Sequence, residues 1–430
     1  MGVGEHRWTP VTTSHAHAEN AALRVLWLCG VSPHGVESGL AMYTRGLTEA
    51  LAASGCSVHG VAIGGPPVSA TPVRWTTISA EPRSRRAALF SALPYIASRL
   101  AVSEHRVAVE RAIGEGADVV VIDHLMSGWC LSQVEQWRRE TGGSVVHVSH
   151  NHETKVRTAW ARSESRLSPL GLYLRMDARR IARLEAKVMG TADLVTTITL
   201  EDRRSVVHDV EFSKSMVLTP GWDRRNSESG RRSPLADRER RVVLLGSLDW
   251  QAKRDNVTAV TTALDALFDQ AGIELFVAGG GDEDFVAAQH GKWKATTFLG
   301  SVDDVDELLA SCRVGLVAEP VGGGFKLKAL DYGYSGLPIA VLEGSMAGLD
   351  LLAGRDVIGA STLEGLGRNI VDIIDSPHEL EMLADRTKQM LGRRFEWLDR
   401  GRKLADRLSK MAADDIALAG GGTQSETEAH

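Results

Sequence analysis

Two rounds of buried-type strands alternating with amphipathic helices, separated by one polar break, predict an α/β protein built from two doubly wound units facing across a cleft. Three observations carry this expectation. LRVLWLCG at 23–30 is an almost continuous apolar run, the pattern of a strand covered on both faces of a parallel sheet. A helix pattern follows over 38–54, with Leu40, Tyr43, Leu47, Ala50 and Leu51 on one stripe. Around 223–239 the chain turns to DRRNSESGRRSPLADRE, polar and aperiodic, and the same strand and helix grammar then restarts.

At 430 residues the chain is longer than one core usually serves, so two units also fit its length. In the first unit, further strands are expected at 57–63, 117–123, 144–150, 192–198 and 215–220. In the second they are expected at 241–248, 273–281, 295–301, 313–320 and 337–344, with a helix over 255–268. Such alternation implies a parallel sheet with helices on both faces. The expected layout is a tail over 1–21, a first unit over 22–224, a linker over 225–240 and a second unit over 241–394. A helix over 395–415, with the option of packing back on the first unit, and a tail over 416–430 complete it.

Composition narrows the function classes. Hydrophobic residues make up 43% and charged residues 24%, ordinary values for a globular protein. The net charge of −6 gives no electrostatic reason to expect nucleic acid or an anionic membrane as partner, and no apolar run is long enough to span a bilayer, which leaves peripheral membrane contact open. Residues 1–20 hold three histidines and no apolar core, so they do not read as a secretory signal. The four cysteines, Cys29, Cys56, Cys130 and Cys312, are far apart, which argues against a zinc site or a disulfide framework and suits a reducing cytoplasm.

A doubly wound sheet binds ligands beyond the carboxyl ends of its strands, so chemistry is sought there. After the first strand, GVSPHGVESGL offers Gly35 and Gly39 for close backbone approach and Ser38 as a helix cap, without the dinucleotide or phosphate-loop glycine spacing. In VVHVSHNHET, His150 falls where a strand ends at the cleft, whereas His147 alternates into the strand as a structural residue. His152 and Glu153 lie in the loop and could equally be solvated.

The strongest segment is RVGLVAEPVGGGFKLKALDYGYSGLPIAV at 313–341, where a buried strand runs into Gly322, Gly323 and Gly324 and then a short helix. Bare amides at a helix start cradle a diphosphate, and Lys326 and Lys328 add cations, although residues two apart do not share a helix face. Asp331, three residues after Lys328, is placed to accept from a ribose diol. The bland alternatives are a turn glycine with an N-cap, satisfied histidines, and a glycine loop ahead of solvated helix charges.

GGGFKLKALDYGYSGLPIAVLEGSMAGLDL at 322–351 resembles the donor-binding segment of the retaining GT-B glycosyltransferases, the sucrose-synthase-like family that uses nucleotide-sugars. VLLGSLDWQAKRDNV resembles the opening strand of that family's second Rossmann-like domain, with Lys253 at its phosphate-binding lysine. GVESGLAMYTRGLTEALAASGCSV resembles the glycine loop of its first domain, SHNHE the region of its cleft histidine, and ADLVTTITLED with TPGWD the approach to the linker. The chain departs from the pattern twice. Of the family's two glutamates, the later is Asp331 and the earlier is Gly323, and GSLDW lacks the family's arginine.

The resemblance implies transfer of a sugar from a nucleotide-sugar to an acceptor hydroxyl, with retention and without a metal or other cofactor. It places the donor against Gly39, Gly323, Gly324, Phe325, Lys326 and Asp331. Lys253 and Lys328 fall on the leaving phosphate, and His150 on the sugar. Two Asp-x-Asp matches, Asp282 with Asp284 and Asp304 with Asp306, precede helices and read as caps rather than metal ligands. The stretch 161–180, apolar with flanking arginines, is the candidate acceptor wall. Rival readings are a 2-epimerase of nucleotide-sugars, a catalytically silent nucleotide-sugar-binding partner, and a nicotinamide oxidoreductase; the last lacks the glycine fingerprint.

Overall fold

The computed structural model describes residues 22–35, 38–207, 210–222, 233–249, 251–320, 324–392 and 394–421. Two parallel sheets organise them. The first contains β1 (Arg24–Val31), β2 (Ser57–Ile63), β3 (Arg74–Ile78), β4 (Val119–Asp123), β5 (Ser144–Ser149), β6 (Leu194–Thr197) and β7 (Ser215–Val217), in the order β3-β2-β1-β4-β5-β6-β7. The second contains β8 (Arg241–Leu245), β9 (Glu274–Ala278), β10 (Thr296–Gly300), β11 (Val314–Val317), β12 (Ile339–Leu342) and β13 (Ile358–Ala360), in the order β10-β9-β8-β11-β12-β13.

Central strands read as unbroken apolar runs because both faces are covered. Val25, Leu26, Trp27 and Leu28 of β1 are all buried, alternating between two core clusters on opposite sides of the sheet. The edge strands β3 and β13 escape the apolar-run signal: RWTTI is only half-buried, and IGA is three residues long. In each sheet the order reverses once, between β1 and β4 and between β8 and β11. Those reversals are where a doubly wound sheet opens a crevice at its carboxyl edge.

Six helices bear on the site: α1 (Gly39–Ala53), α2 (Glu153–Ser163), α3 (Pro169–Thr191), α4 (Gln251–Ala271), α5 (Leu327–Tyr334) and α6 (Trp397–Gly421). α6 follows the second sheet in sequence yet packs on α1. Leu404, Ala405, Leu408 and Met411 join the core cluster of Trp27, Tyr43 and Leu47. Glycine permits this close approach, because a Cβ at Gly401 would run into the backbone of Ala50 and one at Gly46 into the ring of Trp397. Arg400 ties α6 to the chain leaving the first sheet through Thr219, with Nε donating to its carbonyl at 3.0 Å and Nη2 to its hydroxyl at 2.7 Å. The first tail, residues 422–430, Gly322, Gly323 and residues 225–232 of the expected linker lie outside the described residues.

Candidate active site

The carboxyl edges of the two sheets meet. A Cβ at Gly39, the first residue of α1, would stand 3.4 Å from Leu327 at the start of α5. One at Gly324 would stand 3.7 Å from Asn151, beyond β5, and one at Gly348 would stand 3.6 Å from Thr199, beyond β6. Gly324 has φ +80, a left-handed conformation suited to glycine, which lets the chain turn into α5 at this seam.

Three lysines converge here on one carboxylate. Glu319, two residues past β11, receives Lys253 of α4 on Oε1 at 2.9 Å, Lys328 of α5 on Oε1 at 3.1 Å and Lys326 on Oε2 at 2.7 Å. Lys326 and Lys328 reach the same carboxylate because Lys326 is the cap of α5, with φ −101 and ψ 92, and has not entered the helical turn. The expectation that residues two apart diverge holds only inside a helix. Burial pushes the Glu319 carboxyl up, but the Lys328, Lys326 and Lys253 ammoniums outweigh it and hold it well below the usual range. Burial lowers Lys328 to about 8 despite the support of Glu319, and lowers Lys326 in the same way. These three lysines and one carboxylate sum to two more positive than negative charges when fully ionised, and Asp202 also acts on Lys326.

The remaining donor-side residues are arranged less openly. Phe325 is half-buried, its ring 5.6 Å from that of Phe395 and its edge against Gly348. Asp331 accepts a 3.0 Å hydrogen bond from Trp222 Nε1, and the Trp222 ring stacks on Tyr334 at 4.4 Å. Burial raises the Asp331 carboxyl to about 6, with Trp222 opposing the shift. Arg254, the arginine nearest in sequence to GSLDW, is held by Asp282 at 3.2 Å. Asp282 and Asp304 cap helices, accepting from Phe285 N and Glu307 N at 2.9 Å each. Among the described residues no group of three or more His, Cys, Asp or Glu side chains stands as a metal site.

On the opposite wall, Asp123 at the end of β4 is 1% exposed and accepts from Trp27 Nε1 at 2.9 Å, Thr44 Oγ1 at 2.6 Å and His150 Nε2 at 2.6 Å. Burial alone would raise its carboxyl; His150, Thr44 and Trp27 together hold it below the usual range. A carboxylate only accepts, so His150 donates through Nε2 and its Nδ1 is left for another partner. His147 Nδ1 donates to Ile122 O, 3.0 Å away, deep in the sheet, and burial lowers the imidazole to about 4. It is a structural histidine.

Sequence reasoning missed Asp123, Glu319 and His124, and left Glu153 open between a site residue and a solvated one. Glu319 sits in AEP, where only its position past a central strand marked it. His124, following Asp123, adopts φ 59, an uncommon conformation for a histidine. Its Nδ1 accepts from Met126 N at 3.0 Å, and its Nε2 lies 3.3 Å from Glu153 Oε1. Glu153 itself is no solvated loop residue: it opens α2, 6% exposed, because Glu185 accepts from the amides of Glu153 and Thr154 at 2.7 and 2.8 Å. That contact turns the expected loop into a capped helix start.

Two doubly wound parallel sheets, joined carboxyl edge to carboxyl edge with the chain returning through α6, define the GT-B class of glycosyltransferase. Residues 38–226 match the model of glycosyltransferase family 4, and residues 239–373 match that of the glycosyl transferases group 1, so the chain belongs to these glycosyltransferases. Among solved structures, sucrose-phosphate synthase from Thermosynechococcus elongatus superposes with a TM-score of 0.64 at 17% identity, over 91% of this chain and 100% of that one. HepE from Anabaena, in complex with UDP and glucose, gives 0.63 at 13%, over 90% and 100%. WaaG, a glycosyltransferase involved in lipopolysaccharide biosynthesis, gives 0.60 at 17%, over 89% and 99%. No curated protein matches the chain significantly.

Proposed function

We propose that this glycosyltransferase moves a sugar from a nucleoside diphosphate donor to an acceptor hydroxyl, with retention at the anomeric carbon and without a metal ion. The observation that carries the reading is the set of three ammoniums around the single carboxylate of Glu319, beside the Gly324 turn at the seam of the two units. A surplus of two positive charges, partly buried, matches a diphosphate. It strengthens its hold as the glycosyl bond breaks and negative charge gathers on the leaving oxygen. Lys253 and Lys328 carry that role, with Lys326, Gly324 and Phe325 completing the donor cradle; the resemblance adds Gly323, which lies outside the described residues. Gly39 faces it from α1, and Asp331 receives the ribose. HepE, which shares the fold, was crystallised with UDP-glucose, which supports a uridine nucleotide as the first donor to try.

His150, with Nε2 committed to Asp123, offers Nδ1 to a donor hydroxyl, and the acceptor lies along 161–180 on the first unit. All four cysteines are buried and free, which supports a cytoplasmic setting. Among the described residues no helix is long and apolar enough to cross a membrane. The test is release of nucleoside diphosphate from a panel of nucleotide-sugars with chelator present, followed by nuclear magnetic resonance of the product anomer. Inversion, or dependence on added metal, overturns the corresponding part of the proposal. Tight nucleotide binding with no turnover, even with acceptor extracts, would favour the silent partner.

A further inference from the structure

The two antiparallel helices α2 and α3 separate their charges in an unusual way. Their carboxylates are turned inward: Glu153, Asp177 and Glu185 are 6%, 3% and 2% exposed, each tied into the fold. Their cations are turned outward, with Arg162, Arg166, Arg179 and Arg183 all exposed. Glu164, in the connecting loop, is the only acidic residue of the hairpin outside the core, and it is half-buried. A chain of net charge −6 thus carries a locally basic face.

Large apolar side chains lie among these cations. Leu167 in the connecting loop is 91% exposed, with Leu170, Leu172, Met176 and Trp160 between 41% and 60%. Leu172, Met176, Arg179 and Arg183 follow helical spacing, so apolar and basic groups share one stripe of α3. The short helix Arg85–Leu89 is bound to α3 by Arg180 Nη1, which donates to Leu89 O at 3.2 Å, and the chain just after it by Tyr95 N, which donates to Asp177 at 2.8 Å. At its end stands Phe90, 89% exposed, and it carries the exposed Arg85 and Arg86.

We infer that this face docks on an anionic lipid bilayer, through the hairpin tip of α2 and α3 and the Phe90 turn. Exposed leucines and aromatics interleaved with arginines suit an interface whose headgroups are negative and whose acyl boundary takes apolar side chains. α2 starts three residues after His150, so a bilayer at its far end would present an acceptor along the wall assigned to it. The inference rests on the proposed transferase reading only for that last consequence.

The test is flotation of the full chain with vesicles of phosphatidylcholine alone, or with about 30% phosphatidylglycerol, at low and high salt. Binding to the anionic vesicles that weakens with salt is expected. Arg162→Glu with Arg166→Glu should lower the partition coefficient at least about 25-fold. Leu167→Ser with Leu170→Ser should lower it by about tenfold while leaving the salt dependence in place. All four positions are exposed, and thermal melts with nucleoside diphosphate titrations on the same variants verify folding. Nucleotide binding is kept in both, so failure to float separates cleanly from failure of the donor site. No flotation with anionic vesicles overturns the inference, as does flotation indifferent to both variants. Vesicle-free self-association abolished by the leucine pair would assign the face to a second copy of the chain instead.

Discussion

The two walls of the cleft hold their charge in opposite ways. On the first unit, Asp123 is surrounded by three donors, and His124 faces Glu153, so buried carboxylates are matched by hydrogen-bond donors around them. On the second, one carboxylate serves three lysines, and burial, with Lys253 and Lys326 adding to it, lowers Lys328 to about 8 against the support of Glu319. A satisfied buried network fixes a shape, since its members lose by moving. An over-cationic one leaves the desolvation of its charges incompletely offset until an anion arrives. The first wall reads as a positioning device and the second as a binding device.

Breaking the satisfied wall should have the largest effect on stability. Asp123→Ala leaves the Trp27, Thr44 and His150 donors buried without their acceptor, and should cost about 3–5 kcal/mol. Urea unfolding measures it; a loss below about 1 kcal/mol would mean water or a neighbour readily replaces the carboxylate.

The over-cationic wall should respond in turnover instead. Lys328→Ala should lower kcat about 100-fold, with unfolding free energy unchanged or improved because a buried charge is removed. Lys253→Ala should act in the same direction on turnover. Steady-state kinetics with an active nucleotide-sugar decides this, and near-normal turnover in both variants would remove the diphosphate from this cluster.

Much of the architecture was legible because burial on both faces writes itself into sequence as apolar runs: β1, β4 and β8 read directly. The edge strands β3 and β13 did not, being half-buried or too short to carry periodicity. Lys253, Lys326 and Lys328 were visible as residue types, but their convergence depends on Glu319, which comes from another element. It also depends on the non-helical backbone of Lys326, which no spacing rule contains. His124 was hidden for a similar reason, since its role follows from a positive φ at the end of β4 and from a carboxylate 29 residues later. Residues within one segment could be paired by eye; partners brought together by topology could not.

Asp331 sits between the two regimes, a lone carboxylate with one indole donor. Its folded value of about 6 lies above its ordinary 3.8, so its contribution to stability is present below about 3.8 and is lost as pH rises through 6. Asp331→Asn keeps an acceptor for Trp222 and removes the charge. It should therefore stabilise the fold by about 1–3 kcal/mol at pH 8, with the gain fading toward pH 4. Thermal melts across that range test the sign. The proposed ribose contact is examined separately by calorimetry, where Asp331→Ala should weaken nucleoside diphosphate by about 1.5–3 kcal/mol.

The smallest expected effect sharpens the comparison most, because it asks whether Glu319 positions charge or merely fills space. Glu319 raises Lys328 toward its ordinary value, while burial and the neighbouring lysines lower it. In the free enzyme, kcat/KM for the donor should fall as pH rises through about 8, where Lys328 loses its proton. Glu319→Gln keeps the shape of the side chain but removes the counter-charge, so the three ammoniums repel one another unopposed. The alkaline limb should then move to lower pH by about one unit, roughly 1.4 kcal/mol of lost support. At pH 6.5 the variant should retain most of its kcat, since its lysines are still charged there, whereas at pH 8.5 it should fall well below the parent. Adding Lys253→Met removes one repelling neighbour and should return the limb part of the way, whatever it does to absolute rate. A limb that stays put in Glu319→Gln, or moves upward, would show that the titrating group is not Lys328 and that the carboxylate does not hold its charge.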